Sequence, residues 1–372
     1  MNGTDQIRFG VIGAVSRGAK FVTNLLANPS ARITALCDIQ TEKLQASAAE
    51  IGVDKTFSEA EAMFDSGCVD AVVVGTPMPF HASQATMALE RDLHVMSEVT
   101  AGVSLEECEK LVRTVRRSKG MYMMGENFTY MKSNVLVREI ARRGLFGDLY
   151  WGEGAYIHEL KELNEVTRWR RRWQTGVNAC SYPTHSLGPV LQWFAPERVA
   201  SVCAMGSGHH YKDPREDQYE MEDSVTMMCR MTNGGLVNIR VDMLSDRPHN
   251  MVHYALQGTD GCYEGADGFK GEPKIWLRSR NEKHEWEPLS ALEQEFLPDF
   301  WKNPPAEAVK AGHGGGDYWE VEDFITAIKE GGEPPIGIDQ AMDMTLPGLI
   351  SELSLAAGSN WVDVPDSREW GV

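Results

Sequence analysis

The chain lacks any apolar run approaching the ~20 residues needed to cross a bilayer, so no membrane-spanning helix is expected. Cysteine offers no framework. The seven residues (37, 68, 108, 180, 203, 229, 262) are odd in number and scattered, with no Cys-x-x-Cys pair. Small buried thiols are expected rather than disulfides. Positive charge is the minority. The 36 Lys and Arg against 54 Asp and Glu leave a formal net charge of −18, which argues against a nucleic-acid groove or an anionic membrane as partner. Internal repeats, low-complexity tracts and long linkers are absent. The opening MNGTDQIRFGVIG goes straight into a strand pattern and lacks a basic-then-apolar signal, so a cytoplasmic protein is expected.

What remains is an ordinary globular composition over 372 residues, enough for two domains with buried cores. Residues 6–127 alternate in period. IRFGVIG, ARITALCD, DAVVVGTP, HVMSEV and MYMMGEN are apolar strand patterns. Between them run amphipathic helical patterns, among them SRGAKFVTNLLANP with Phe21, Leu25 and Leu26 on one face, and TEKLQASAAEIG. A further one, SLEECEKLVRTVRRSKG, opens with a capping box from Ser104 to Glu107. Near-continuous apolar strands separated by such helices predict a doubly wound parallel sheet, an α/β Rossmann domain that binds ligands at its C-terminal strand ends.

From about residue 148 the pattern becomes strand after strand. Asn233-Gly234-Gly235 and Asp260-Gly261 are hairpin turns. DYWEVEDFITAIKEG and DQAMDMTLPGLISELSLAAG are helical patterns, the second containing Pro347. The expectation is an NAD-binding domain over 1–128, followed over 129–372 by an α+β substrate-binding and oligomerisation domain. That domain should hold a large, mainly antiparallel open sheet.

Gly13-Ala-Val15-Ser16-Arg17-Gly18 has the GxGxxG spacing after a strand, with Val15 at the middle glycine, where backbone normally approaches a pyrophosphate. Asp38 ends the second strand 20 residues later, where an acid takes the adenosine ribose hydroxyls and repels a 2′-phosphate. Thr76 and His81 cap another strand end. Together these predict a dinucleotide, NAD rather than NADP.

HVMSEVTAG, 94–102, ends a strand in Glu98 but follows it with Val99, which cannot move a proton. The residues resemble the glucose–fructose oxidoreductase / inositol dehydrogenase / MocA (Gfo/Idh/MocA) family over essentially the whole chain, through the fingerprint, TPMPFH and HVMSEV. Dehydrogenases of that family carry Glu-Lys-Pro at positions matching 98–100, and an Asp four residues before a His in the second domain. Here Val99, Thr100 and Ser181 stand at three of those positions, while His185 is kept. These departures are similar to the NAD-dependent glycosidase branch, typified by α-N-acetylgalactosaminidases. EVTA, ENFTY (126–130), GLFGDLYWGEGAYIHEL (144–160), WRR (169–171), YPTHSLGP (182–189) and GHGGGDY (312–318) carry that likeness.

The resemblance implies a net hydrolysis without the usual two carboxylates. Hydride leaves C3 of the sugar for NAD⁺, a base removes the acidified C2 proton, and the C1 group is eliminated. Water then adds and the hydride returns. The proton carriers are expected away from the Glu98 strand. Tyr182 and His185 lie three apart, on one face if a helix starts after Pro183. Tyr130 matches the family's third active-site residue. Tyr130, Tyr182 and His185 are therefore the candidates for catalysis. Glu98 would orient the nicotinamide ribose or substrate hydroxyls, and Asn127 is a further cofactor contact. His158 and His313 are candidate sugar contacts. RWRRRW (168–173) reads by default as a solvated charge run, and by resemblance Trp169 and Arg170 would lie near the cofactor. Arg172 could alternatively read an anionic sugar, since guanidinium forks suit carboxylates and sulfonates. His209-His210 read as surface turn residues, and no metal is expected.

The expected protein is thus an NAD⁺-dependent glycoside hydrolase acting on a small glycoside, possibly an anionic one, and forming a dimer or tetramer. A sugar dehydrogenase releasing NADH is the alternative, opposed by Val99 and Ser181. A non-catalytic sugar or cofactor sensor is opposed by the retained Tyr130, Tyr182 and His185.

Overall fold

The structure is a computed structural model that describes residues 6–248, 251–266 and 271–371; the reading of the first residues of the chain falls on 1–5, outside that set. It divides into two compact units. Unit 1 holds residues 1–130, 305–342 and 366–372; unit 2 holds 131–304 and 343–365.

Unit 1 is built on six parallel strands: β1 Ile7–Ile12, β2 Ala31–Cys37, β3 Thr56–Phe57, β4 Ala71–Val74, β5 His94–Glu98 and β6 Tyr122–Gly125. Their order, β3-β2-β1-β4-β5-β6, is the doubly wound one, and its direction reverses between β1 and β4. All four residues of β4, AVVV, are buried, as expected for a strand covered on both faces. The Gly18–Ala27 helix buries Phe21, Val22 and Leu25. Leu26 does not join that face; it is 56% exposed, because it lies about 100° beyond Leu25 around the helix. The first half of the capping box forms, with Ser104 Oγ accepting from Glu107 N at 3.2 Å, while the Glu107 carboxylate accepts from Val103 N at 3.2 Å, one residue before the cap.

A single division after residue 128 does not describe these units. Residues 305–342 and 366–372 return to unit 1, because the Gly316–Glu330 helix is bound to the parallel sheet and its helices. Phe324 packs edge-on to Phe9 at 6.2 Å between centroids. Asn24 Nδ2 donates to Asp317 O at 2.7 Å and Asn28 Nδ2 to Glu322 Oε1 at 2.7 Å.

Unit 2 is a nine-stranded sheet: β7 Leu149–Ile157, β8 Val199–Gly206, β9 Ser224–Met231, β10 Leu236–Asp242, β11 Met251–Gly258, β12 Gly261–Glu264, β13 Lys274–Leu277, β14 Glu287–Pro288 and β15 Val362–Asp363. The order is β14-β13-β12-β11-β7-β10-β9-β8-β15, with only β7 and β10 parallel. Both expected hairpins form, and Gly234 takes φ +87° between β9 and β10. One face of the sheet is buried under the Thr184–Phe194 helix. That helix comes so near β7 that a Cβ on Gly154 would stand 2.0 Å from Ser186 O. The other face, with Trp151, Glu153, Thr226, Met228, Asn238 and Arg240, is half-exposed. Among the described residues no helix is long and apolar enough to cross a membrane.

Candidate active site

In unit 1 the crevice lies at the C-terminal ends of the strands, at the β1/β4 reversal. Gly13 has φ +75°, and a Cβ there would meet Gly75 O at 2.4 Å, so the β1 and β4 loops touch backbone to backbone. Val15, in the place of the fingerprint's middle glycine, is half-buried and donates its N–H to Asp38 Oδ2 at 3.1 Å. Asp38 Oδ1 takes Gln40 N at 3.0 Å, which fixes this carboxylate at the end of β2. Thr76 Oγ1 donates to Gln84 at 2.7 Å, and Ser16 Oγ turns to Gly13 O at 3.2 Å. His81 is buried. Its ring nitrogens lie 2.8 Å from Thr76 O and 3.0 Å from Thr100 O. Both ring nitrogens thus face backbone carbonyls of the β4 and β5 loops, and His81 ties those two loops together.

Above β5 and β6 stands a charge network. Arg17 pairs with Glu98 through Nε and with Asp317 at 2.9 Å. His313 Nδ1 lies 3.0 Å from Asp317 Oδ1, and Asn127 Nδ2 donates to the same oxygen at 2.8 Å. Burial opposes the charge on Arg17, but the Glu98 and Asp317 carboxylates outweigh it and hold the guanidinium above its ordinary range. Burial likewise opposes ionisation of Asp317, but hydrogen bonds from His313 and Arg17 prevail and hold the carboxyl below the usual range. Glu320 stands beside them fully buried. Burial first, then the charges of Asp317 and Glu98, push its carboxyl well above the usual range.

These residues fit a dinucleotide. Glycine backbone opens the crevice at the helix start, a fixed acid ends β2, and Asn127 Oδ1 is a buried oxygen without a hydrogen-bond partner at the far end.

In unit 2 four rings gather where β7 ends and the Thr184–Phe194 helix begins. Tyr156 hydroxyl and His158 Nδ1 lie 2.8 Å apart. The Tyr156 ring centroid is 5.3 Å from His185 and 5.7 Å from Tyr182, and Tyr182 stands edge-on to His185 at 5.1 Å. Tyr254 donates its hydroxyl to His185 O and anchors the helix start. Ser181 Oγ donates to Gln174 O at 3.1 Å.

The structure therefore joins Tyr182, His185 and His158 as one cluster. It adds Tyr156 at the centre, which the sequence reading passed over. The signal was present: Tyr156 and His158 are two apart on a strand and share a face. His313, read as a sugar contact, stands instead in the unit 1 network with Asp317. That network's acids, Asp317 and Glu320, were not singled out from the sequence either; the i, i+3 and i+4 spacing of 313, 317 and 320 was the available sign. Tyr130 is buried at the end of the Asn127–Tyr130 turn in unit 1. RWRRRW forms the short helix Arg168–Trp173. Arg170 lies over Trp169 at 4.2 Å and Arg172 over Trp173 at 5.1 Å. His210 is an exposed turn residue, as read, but it has a carboxylate partner, Asp223, at 2.6 Å. Among the described residues no group of three or more His, Cys, Asp or Glu is arranged to hold a metal.

A family model for the NAD-binding Rossmann fold of an oxidoreductase family (GFO_IDH_MocA) matches residues 7–126, and one for the C-terminal domain of glycosyl hydrolase 109 matches 130–370. An α-N-acetylgalactosaminidase of Shewanella oneidensis is 28% identical over 97% of this chain and 84% of its own length. A glycosyl hydrolase family 109 protein of Saccharopolyspora erythraea is 28% identical over 97% and 83%. Among solved structures, levoglucosan dehydrogenase with NADH and levoglucosan superposes with a TM-score of 0.80 at 20% identity, over 97% of this chain and all of that one. With the doubly wound unit, the nine-stranded sheet and both halves matched, the chain belongs to glycosyl hydrolase family 109, carried on the NAD-binding fold of the Gfo/Idh/MocA oxidoreductases.

Proposed function

We propose that this protein is an NAD⁺-dependent glycoside hydrolase working by oxidation at C3, deprotonation at C2, elimination of the C1 group, hydration and re-reduction. The observation that carries the reading is the unit 2 cluster. It is made of two phenols and two imidazoles, not the pair of carboxylates that flanks a conventional glycosidic bond. Bound NAD⁺ supplies a reversible hydride acceptor, which turns C3 into a ketone and makes the C2 proton removable. The protein's own part is to hold and to move protons. Asp38 and the Gly13–Gly18 loop would hold the adenosine and pyrophosphate, and Glu98, fixed by Arg17, would orient the ribose beyond them with Asn127 and Thr76. The Tyr156 hydroxyl can pass its proton to His158 Nδ1, at 2.8 Å, and the phenolate so formed suits removal of a proton next to a ketone. His185 and Tyr182, packed on the same ring, serve the leaving group and the incoming water. The test is whether NADH stays at trace level during hydrolysis. Stoichiometric NADH from free sugars would make the enzyme a dehydrogenase instead.

The route requires no protonation of a glycosidic oxygen, so thioglycosides should turn over alongside matched O-glycosides. Inert thioglycosides would count against it. Arg172, exposed with its guanidinium over Trp173, leaves a guanidinium fork open to solvent that suits the anionic group of a glycoside. Arg172→Gln should then raise KM about tenfold or more for uronides or sulfoquinovosides and leave neutral glycosides unchanged. The half-exposed face of the nine-stranded sheet supports a dimer or tetramer, which light scattering reads directly. All seven cysteines are free, five of them buried, which fits a reducing cytoplasm.

A further inference from the structure

Glu320 is an acid of the unit 1 network that the proposed chemistry does not use. It is completely buried, and neither carboxyl oxygen has a hydrogen-bond partner. A second buried oxygen without a partner, Asn127 Oδ1, belongs to the same network. The Glu320 carboxyl lies against the end of β6: a Cβ on Gly125 would stand 3.1 Å from Glu320 Oε2. Gly125 is the register partner of Glu98 on β5. The groups facing Glu320 come from each neighbouring element. Asp317 is on its own helix, Glu98 ends β5, Glu126 follows β6, and Arg17 precedes the Gly18–Ala27 helix. His313 reaches the set through Asp317. Three negative neighbours and one guanidinium therefore surround a carboxyl with no donor of its own.

Such a group keeps its proton unless a positive charge arrives nearby. The fold rule runs a dinucleotide across the strand ends, with adenosine at β2 and the nicotinamide towards β5 and β6. The two redox forms differ there by one unit of charge. We propose that Glu320 is a proton-exchanging counter-charge to the nicotinamide: it carries its proton in the free protein and beside NADH, and releases it to solvent when NAD⁺ binds. This rests on the NAD-dependent reading above and deepens it. The acid makes the site favour the oxidised form that must be regenerated after every turnover, and favours it more as pH rises. Proton and charge balance: Glu320 carboxylic acid plus NAD⁺ gives carboxylate, bound NAD⁺ and one H⁺ taken up by buffer.

The experiment is calorimetric titration of the purified protein with NAD⁺ and with NADH, in buffers of different ionisation enthalpy, between pH 6 and 9. The wild type should release close to one more proton with NAD⁺ than with NADH. Its preference for NAD⁺ should rise by up to tenfold per pH unit over that window. Glu320→Gln should lose both the extra proton and the pH dependence while still binding both forms. Infrared difference spectra of the wild type give a readout independent of any variant: a protonated-carboxyl band should vanish with NAD⁺ and persist with NADH. Equal proton release for the two forms, an unchanged band, or an extra proton that survives in Glu320→Gln would overturn the proposal while leaving the cofactor reading intact. Failure of either form to bind would overturn both.

Discussion

At the scale of one residue, the proposed chemistry rests on Tyr156, which the sequence reading does not single out. A tyrosine on an alternating strand is ordinarily a packing residue. Only the fold shows its hydroxyl 2.8 Å from His158 and its ring against both Tyr182 and His185. Tyr156→Phe should lower kcat by about 10²–10⁴ while NAD⁺ affinity, measured by fluorescence titration, stays within twofold. An unchanged kcat would remove Tyr156 from the proton path. Glu320 gives a stability prediction with a definite sign. Its folded-state pKa is raised, so between about pH 4.3 and the folded value the native state binds more protons than the unfolded. Its contribution is fully present below about pH 4.3 and is lost as pH rises, by up to about 1.4 kcal/mol per pH unit. Glu320→Gln should therefore be no more stable than wild type near pH 4 but progressively more stable towards pH 8 in urea melts. A difference that does not grow with pH would show that the carboxyl titrates normally.

At the scale of elements, the approach of β7 to the Thr184–Phe194 helix sets the cluster. Tyr156 comes from one and His185 from the other. Gly154 permits the spacing at the helix start, since a Cβ there would meet Ser186 O at 2.0 Å. Gly154→Ala should push the helix start away from β7 and lower activity at least 10²-fold, with NAD⁺ binding retained because the Gly13–Gly18 loop, Asp38 and Glu98 lie in unit 1. Equal loss of both would mean that the variant unfolds the chain. The parallel strands of unit 1 were legible because strands buried on both faces read as apolar runs, AVVV being the plainest. The helix after Pro183 and the two hairpins were legible from local chemistry as well. The destination of residues 305–342 was not. The amphipathic pattern of 316–330 declares a buried face, but nothing in it names the sheet that will bury it. Asp317 and Glu320 went unmarked for that reason.

At the scale of the whole molecule, a dinucleotide-binding sheet and a proton-handling cluster are joined in one chain whose net reaction consumes no cofactor. The family likeness carried the branch from the sequence alone, through Val99 and Ser181 standing at positions where dehydrogenases keep Lys and Asp. The geometry adds that two phenols and two imidazoles lie together in unit 2, the groups to which the proposal gives proton transfer. The most direct measurement is hydrolysis of a p-nitrophenyl glycoside panel in D₂O with NAD⁺ present, with the released sugar read by proton NMR. The panel spans N-acetylgalactosaminides, glucosides, uronides and sulfoquinovosides. Deuterium at C2 of the released sugar is the predicted result, because the C2 proton leaves and is replaced from solvent. Complete hydrolysis with C2 fully protonated, or NADH accumulating from free sugars with no hydrolysis, would contradict it.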